Sequence, residues 1–243
     1  MSKTIKPYSE SNQSKKEQVT QMFDTISKEY DSINRIMTFG IDIKWRKKVI
    51  NIIAQKNPKF ILDIASGTGD LAILAAQKTK ATNIIGADIS EGMLAIGEKK
   101  ITKLNLSDRI KMQVADSEDL PFSDNYFDAI TVAFGVRNFE NLDKGIQEIH
   151  RVLKPKGVFV VLETSIPKYP IIKQLYLLHS NILLPLFGKL FSKDPKAYTY
   201  LSKSAKKFPY GADFNNILNK NGFKEVRNLP QTMGVATIYI GNK

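Results

Sequence analysis

Cysteine is absent from this chain, which excludes a disulfide framework and any Cys-ligated zinc or iron–sulfur centre. Histidine occurs only twice, and no cluster with metal-ligand spacing is visible, so the sequence assigns no metal site. Long hydrophobic runs are missing as well. The longest candidate, residues 169–191, is uncharged only from Gln174 to Gly188, 15 residues that include His179, Asn181 and Pro185. A membrane-spanning helix needs about 20 mostly apolar residues. The first 17 residues are polar, lack an apolar core of signal-peptide length and are expected to form a flexible leader. The lack of cysteine fits a reducing compartment, and the expected location is the cytoplasm.

Charge is plentiful but uneven. The net charge of +12 divides into +5 over residues 1–56, −2 over 57–163, +7 over 164–210 and +2 over 211–243. A slightly acidic centre between basic flanks suggests a polyanionic contact, either nucleic acid or anionic lipid. A plainly solvated lysine-rich surface is the alternative.

The centre alternates short apolar runs with amphipathic stretches. Strands are expected at 60–65, 83–88, 110–115, 127–134 and 157–164, and helices at 70–78, 91–104 and 141–153. Near-continuous apolar strands separated by helical patterns mean buried parallel strands with crossover helices. The expected fold is α/β, a doubly wound, mostly parallel, Rossmann-like sheet. Residues 17–55 predict two helices broken near Thr38-Phe39-Gly40, and 168–207 predict two more, rich in Leu, Tyr and Lys. A helix at 212–221, ended by Gly222, leads into FKEVRNL and ATIYIG with no helix between them, which predicts an antiparallel hairpin at a sheet edge. One domain is expected over 18–243. It comprises N-terminal helices (18–56), a ligand-binding core (57–164), a basic and apolar helical lid (165–210) and a final helix with hairpin (211–243).

The first strand breaks into Ser66-Gly67-Thr68-Gly69-Asp70. With Leu71-Ala72 this matches G-x-G-x-x-A, and Asp88 follows about 20 residues later, as in dinucleotide-binding folds. An empty strand-to-helix turn is also compatible. A P-loop is excluded, because no Gly-Lys-Ser/Thr follows. Carboxylates on both sides of the turn, Asp63 and Asp70, oppose a pyrophosphate. S-adenosylmethionine reverses that requirement, since it has no phosphate and carries a positive sulfonium and amino group. Asp63 suits its cationic end, directly or through water. Asp88 suits its ribose diol, and Asp116 with the Ser117 backbone suits its adenine. Gly67 and Gly69 let the backbone approach closely. Three successive strands ending in Asp, on the side where doubly wound folds bind ligands, favour this methyl donor.

In order along the chain, ILDIASGTGD, ADISEGML, DSEDLPFSDNYFD, AFGVRNF and HRVLKPKGVFVVLE resemble the motifs of the ubiquinone/menaquinone biosynthesis C-methyltransferases. FDTISKEYDSIN followed by Trp45-Arg46, and the late AYTYLSKSAKKFP, are similar to that family's N-terminal and C-terminal signatures. The resemblance covers roughly residues 18–240. It implies a class I S-adenosylmethionine-dependent methyltransferase that transfers a methyl group to a ring carbon of a polyprenylated quinol. The acceptor would be demethylmenaquinol or, in the ubiquinone branch, a methoxy-benzoquinol precursor. It also implies donor contacts at Thr68, Asp88, Asp116 and Ser117. Three positions depart from the pattern. Ala133 stands where several relatives have Ser, Lys156 where they have Gly, and Thr164 where they have an aromatic.

A lipid quinol lives in the bilayer, so the enzyme is expected at the inner face of the membrane, peripherally bound. Residues 169–191 set Leu, Ile, Tyr and Phe beside Lys173 and Lys189, as an interfacial helix does. A lid or a homodimer face is the other reading of that segment. The acceptor carbon becomes nucleophilic when the neighbouring hydroxyl loses its proton, which calls for a base and a positive stabilising group. Arg137, with Asn138, is placed for the second role, unless it pairs with Glu140 or Asp143. His179 is the better placed of the two histidines for the base, His150 being a packing residue. Tyr30 and Tyr200 are candidates to line the acceptor pocket, and Asp24 to orient the N-terminal helix. Nucleic acid is not expected as a substrate. The fourth strand ends in AFGVRN rather than an Asn-Pro-Pro-aromatic element, and no cysteine is present to attack a pyrimidine.

Overall fold

The computed structural model describes residues 5–243, so positions 1–4 of the expected leader lie outside the described residues. The rest of that leader is shorter and more attached than expected. Ser14 accepts from the Glu17 backbone while the Glu17 carboxylate accepts from the Ser14 N–H, a capping box that starts helix α1 (Lys15–Met37). Upstream of it, the Tyr8 hydroxyl donates to Asp194. Helix α2 (Ile41–Ala54) follows a break at Phe39 and Gly40, both in the left-handed region.

The core then alternates as its apolar pattern predicts, through β1 (Phe60–Ile64), α3 (Asp70–Lys78), β2 (Asn83–Asp88), α4 (Glu91–Lys103), β3 (Ile110–Val114), β4 (Phe127–Ala133), α5 (Leu142–Val152) and β5 (Leu153–Thr164). Helices α6 (Pro170–Leu178) and α7 (Leu184–Phe191) are joined without interruption by a π-helical turn at His179–Leu183, and α8 (Pro195–Lys207) folds back on them. Helix α9 (Ala212–Lys220) leads to β6 (Lys224–Gln231) and β7 (Ala236–Asn242).

Seven strands among the described residues form one sheet in the order β3-β2-β1-β4-β5-β7-β6. The first five run parallel, and β7 pairs antiparallel with both β5 and β6, so the expected hairpin closes one edge. Alternate residues feed opposite faces. Val158, Val160 and Leu162 of β5 pack with α2 and α3, whereas Phe159 and Val161 pack with α5 and α9. A third cluster joins Val19, Met22 and Ile26 of α1 to Met93, Tyr198 and Leu201. That cluster holds α1 and the lid over the carboxyl ends of the strands. Lys156, where the family resemblance leads one to expect glycine, has φ +67°, a left-handed conformation that glycine adopts at less cost.

Candidate functional site

The strand order reverses at β1, which lies between β2 and β4, so a crevice opens beyond the ends of β1 and β4. Both strands leave the sheet through a strained residue, Ala65 at φ +50° and Phe134 at φ +61°. Gly135 must be glycine there, because a Cβ would lie 2.4 Å from that of Ala65. A cavity of about 690 Å³, including its open mouth, fills this crevice, lined among others by Gly67, Asp88, Ile89, Asp116, Ser117 and Asn138.

The acidic strand ends divide into two roles. Asp88 lines the cavity, its Oδ2 accepting the Gly67 N–H at 2.8 Å and its Oδ1 the Ser90 N–H at 2.9 Å. Burial raises its pKa against those bonds. An ionised carboxylate has about four acceptor sites, so Asp88 retains capacity for a diol. Asp116 lines the cavity too, with Lys16 at 2.8 Å on one oxygen and the Glu118 N–H at 2.9 Å on the other. Asp63 lies beneath the turn, outside the cavity lining. Its oxygens accept from Ser66 at 2.8 Å and Thr131 at 2.7 Å, and burial pushes its pKa up to about 6. Its effect on a ligand is therefore through the field and through the turn it braces.

Thr68 and Gly69 also face elsewhere. The Thr68 hydroxyl donates to Asp31 of α1 at 2.7 Å and accepts from Lys100 at 3.1 Å. Gly69 has φ +77° and turns the chain into α3, and the side chain and backbone it faces are those of Met112 and Gly97. Asp70 is a correction to the charge argument drawn from the sequence. Burial alone would raise its pKa, but Lys100 and Arg35 pair with it and hold it low, so it is no bare charge at the turn. What opposes a pyrophosphate is that the Gly67 N–H is already committed to Asp88, whose carboxylate shares the cavity.

A second, larger cavity of about 1690 Å³, including its open mouth, adjoins the first. Tyr30 and Phe134 line both. Its walls are mainly apolar, with Trp45, Ile172, Leu175, Tyr176 and Leu201, and with Thr164 among them. Arg137 lines it as well. Its partner is Glu163 of β5, rather than Glu140, which accepts the Lys15 N–H, or Asp143, which pairs with Lys220. Burial works against the Arg137 charge, but Glu163, together with Tyr30 and Tyr200, more than offsets it. Asn138 lines the first cavity and accepts from the Tyr200 hydroxyl at 3.2 Å, so Tyr200 stands behind Asn138 and outside both linings.

His179 lines the second cavity, with Nε2 3.0 Å from the Met37 carbonyl. A carbonyl only accepts, so Nε2 carries the hydrogen and Nδ1 is the basic atom of the neutral ring. Burial raises the pKa values of Tyr30 and Tyr200 and pushes Tyr176 up to about 12, which keeps all three as donors near neutral pH. His150 packs edge-on against Phe223, far from this chemistry in role.

Sequence reasoning missed Glu163 and Tyr176. A charged residue closing the buried run GVFVVLE was the available signal for Glu163, because a carboxylate among core strands demands a partner. Tyr176 had no such signal.

Residues 11–243 match the model of the ubiE/COQ5 methyltransferase family. A demethylmenaquinone methyltransferase from Bacteroides fragilis is 46% identical over 98% of this chain and 97% of its own length. A ubiquinone/menaquinone biosynthesis C-methyltransferase UbiE from Geotalea uraniireducens is 42% identical over 94% of this chain and 97% of its own. Among solved structures, a SAM-dependent methyltransferase from Thermotoga maritima superimposes with a TM-score of 0.64 at 18% identity, covering 92% of this chain and 99% of that one. One from Aquifex aeolicus gives 0.54 at 16%, over 76% and 81%. The structural matches establish the class I methyltransferase fold, and the full-length sequence matches go further: the chain belongs to the ubiE/COQ5 methyltransferase family.

Proposed function

We propose that this protein is an S-adenosylmethionine-dependent C-methyltransferase acting on a polyprenylated quinol, converting demethylmenaquinol to menaquinol. The observation that supports this reading best is the pair of adjoining cavities. One is small and carries Asp88, Asp116 and Ser117, and the other is large and apolar, with Tyr30 and Phe134 as their common wall. The naming of the relatives from Bacteroides fragilis and Porphyromonas gingivalis favours the menaquinone branch.

The residues present fit the donor. Asp88 would hold the ribose hydroxyls, Asp116 and Ser117 the adenine, and the Gly67 turn the amino-acid end, with Ile89 and Met93 giving an apolar slot. Two buried carboxylates with raised pKa values, Asp63 and Asp88, favour a ligand that brings positive charge. The donor supplies an electrophilic methyl group on sulfur and leaves as a neutral thioether. The chain's own task is alignment, desolvation and proton movement. Arg137, held by Glu163, stabilises the oxyanion of the acceptor ring. His179 Nδ1 takes the hydroxyl proton as the ring carbon forms its bond to the methyl. The methylated carbon still carries its hydrogen, which is lost as a proton to solvent, while protonated His179 returns its proton to the ring oxygen, restoring the aromatic quinol and the neutral imidazole.

Such an acceptor brings the enzyme into transient contact with an anionic membrane surface. Among the described residues no helix is long and apolar enough to cross a membrane. The test is incubation with trideuteromethyl donor and short-chain demethylmenaquinone, with and without reductant, read by mass spectrometry. Label on the ring only under reducing conditions supports the reading. Donor binding without transfer moves the acceptor elsewhere, first to benzoquinol precursors.

A further inference from the structure

The lid carries an apolar stripe that the fold leaves uncovered. Ile171, Leu175, Leu178, Ile182, Leu186 and Leu190 are each between 46% and 74% exposed. In an unbroken α-helix, at about 100° per residue, the 19 steps from Ile171 to Leu190 would end about 100° off the starting line. The π-helical turn at His179–Leu183 takes up about one extra residue. That returns Leu186 and Leu190 to the line of Ile171 and Leu175. A second apolar projection stands at the α1–α2 corner, where Phe39 is 89% exposed and Ile36 54%. Leu175 and Phe39 both line the large cavity as well as facing solvent, so its mouth lies between the stripe and the corner.

Lysines surround this surface. Lys168, Lys173, Lys189 and Lys193 on the lid side are exposed, as is Lys44, which lines the mouth. The segment 164–210 has a charge of +7. Leucines and a phenylalanine amid lysines match the headgroup boundary of an anionic bilayer. A self-associating face would have to bring those like charges together.

We propose that the lid stripe and the α1–α2 corner form one docking surface for an anionic bilayer, with the cavity mouth opening into the lipid. A prenylated acceptor then enters ring first from the membrane and leaves its tail among the acyl chains, without crossing water. The proposal rests on the reading of the acceptor as a lipid quinol, and it adds the face, the entry route and the function of the π-helical turn.

The experiment is co-sedimentation of the full chain with phosphatidylcholine vesicles, with and without phosphatidylglycerol, beside two methylation assays. One assay uses a long-chain acceptor embedded in the vesicles and the other a short-chain acceptor in solution. Leu186→Glu with Leu190→Glu alters the stripe while leaving the cavity lining intact. Binding should be about tenfold or more tighter to anionic than to neutral vesicles. The double variant should lose about tenfold or more in vesicle binding. It should likewise lose turnover of the embedded acceptor, with turnover of the short-chain acceptor unchanged. Vesicle binding by the wild-type chain with no transfer to the short-chain acceptor would support docking and overturn the proposed function. No wild-type binding to either vesicle would overturn the docking surface, and so would full binding by the variant. A dimeric wild type that the double variant makes monomeric, with no vesicle binding by either, would assign the stripe to self-association and overturn the proposal.

Discussion

The Arg137–Glu163 pair brings a charge to the wall of the larger cavity, and it is almost wholly buried, at 7% and 0% side-chain exposure. Glu163→Gln leaves the guanidinium without its counter-charge, which should lower unfolding stability by about 3 kcal/mol in urea titrations. One substitution separates the base proposed at His179 from its contact with the Met37 carbonyl. His179→Gln retains an N–H for the Met37 carbonyl but no basic atom, so the lid contact survives while proton transfer does not. The turnover number should fall about 100-fold or more. A full rate in this variant would make His179 a clasp only. Asp63 gives a pH signature of stability. Its pKa is about 6 in the fold against an ordinary 3.8, so between those values the folded state binds more protons than the unfolded one. Stability attributable to Asp63 is therefore greatest at the acid end of that window, declines as pH rises through it and is flat above about pH 6. The difference in unfolding free energy between wild type and Asp63→Asn, followed by denaturation across that range, should show this slope. The sequence identified Asp88 and Asp116 as cavity carboxylates because strand ends are readable from apolar runs. The side-chain directions of Asp63 and Thr68 were not legible, because the direction of a side chain at a tight turn depends on what lies across it. Here that is Ser66 and Thr131 for the first, and Asp31 of a distant helix for the second.

At the scale of elements, α1 is a strap tied along its length to the ends of the sheet. Lys16 reaches Asp116, Asp24 accepts from the Ser90 hydroxyl at 2.6 Å and the Gly92 N–H at 2.9 Å, and Asp31 meets Thr68 and Lys100. Arg35 closes the series on Asp42 and Asp70. Asp24 thus supplies an acceptor to the first turn of α4, immediately after Asp88. Asp24→Ala should cost about 1 kcal/mol of stability, as a lost helix cap does. It should also weaken donor binding measured calorimetrically, because Ser90 bonds Asp88 through its N–H and Asp24 through its hydroxyl. Unchanged donor affinity would confine Asp24 to holding the strap. The existence of α1 and its break near Gly40 were legible from helical periodicity and the Thr-Phe-Gly punctuation. Its length was less so, because the capping box at Ser14 and Glu17 lies in a stretch whose polarity suggested a leader. The lid was legible as two helices. Its π-helical turn was not, since no side chain in His179–Leu183 announces an extra residue per turn.

For the whole molecule, the alternation of strands and helices sufficed to give the doubly wound sheet and its hairpin edge, because parallel strands buried on both faces must be apolar throughout. The division of the ligand edge into two cavities was out of reach of the sequence. It depends on α1, the lid and the strained ends of β1 and β4 meeting at Tyr30 and Phe134, residues 104 positions apart. Charge is distributed on the same plan. The core from 57 to 163 is slightly acidic at −2 and carries Asp88 and Asp116 at the smaller cavity, whereas the segments that carry the lid and the N-terminal helices hold +7 and +5. Donor capture and surface attachment should therefore respond differently to salt. Asp88 and Asp116 would act on the proposed donor across short, enclosed distances, where screening is weak. The lysines around the mouth act through water, where the Debye length falls from about 10 Å at 0.1 M to about 3 Å at 1 M ionic strength. Turnover of a vesicle-embedded acceptor should fall steeply with added salt, while turnover of a short-chain acceptor in the same buffer changes little. Parallel losses in the two assays would mean that salt acts on the donor site or the fold. In that case the basic flanks would be a solvated surface without a part in substrate capture.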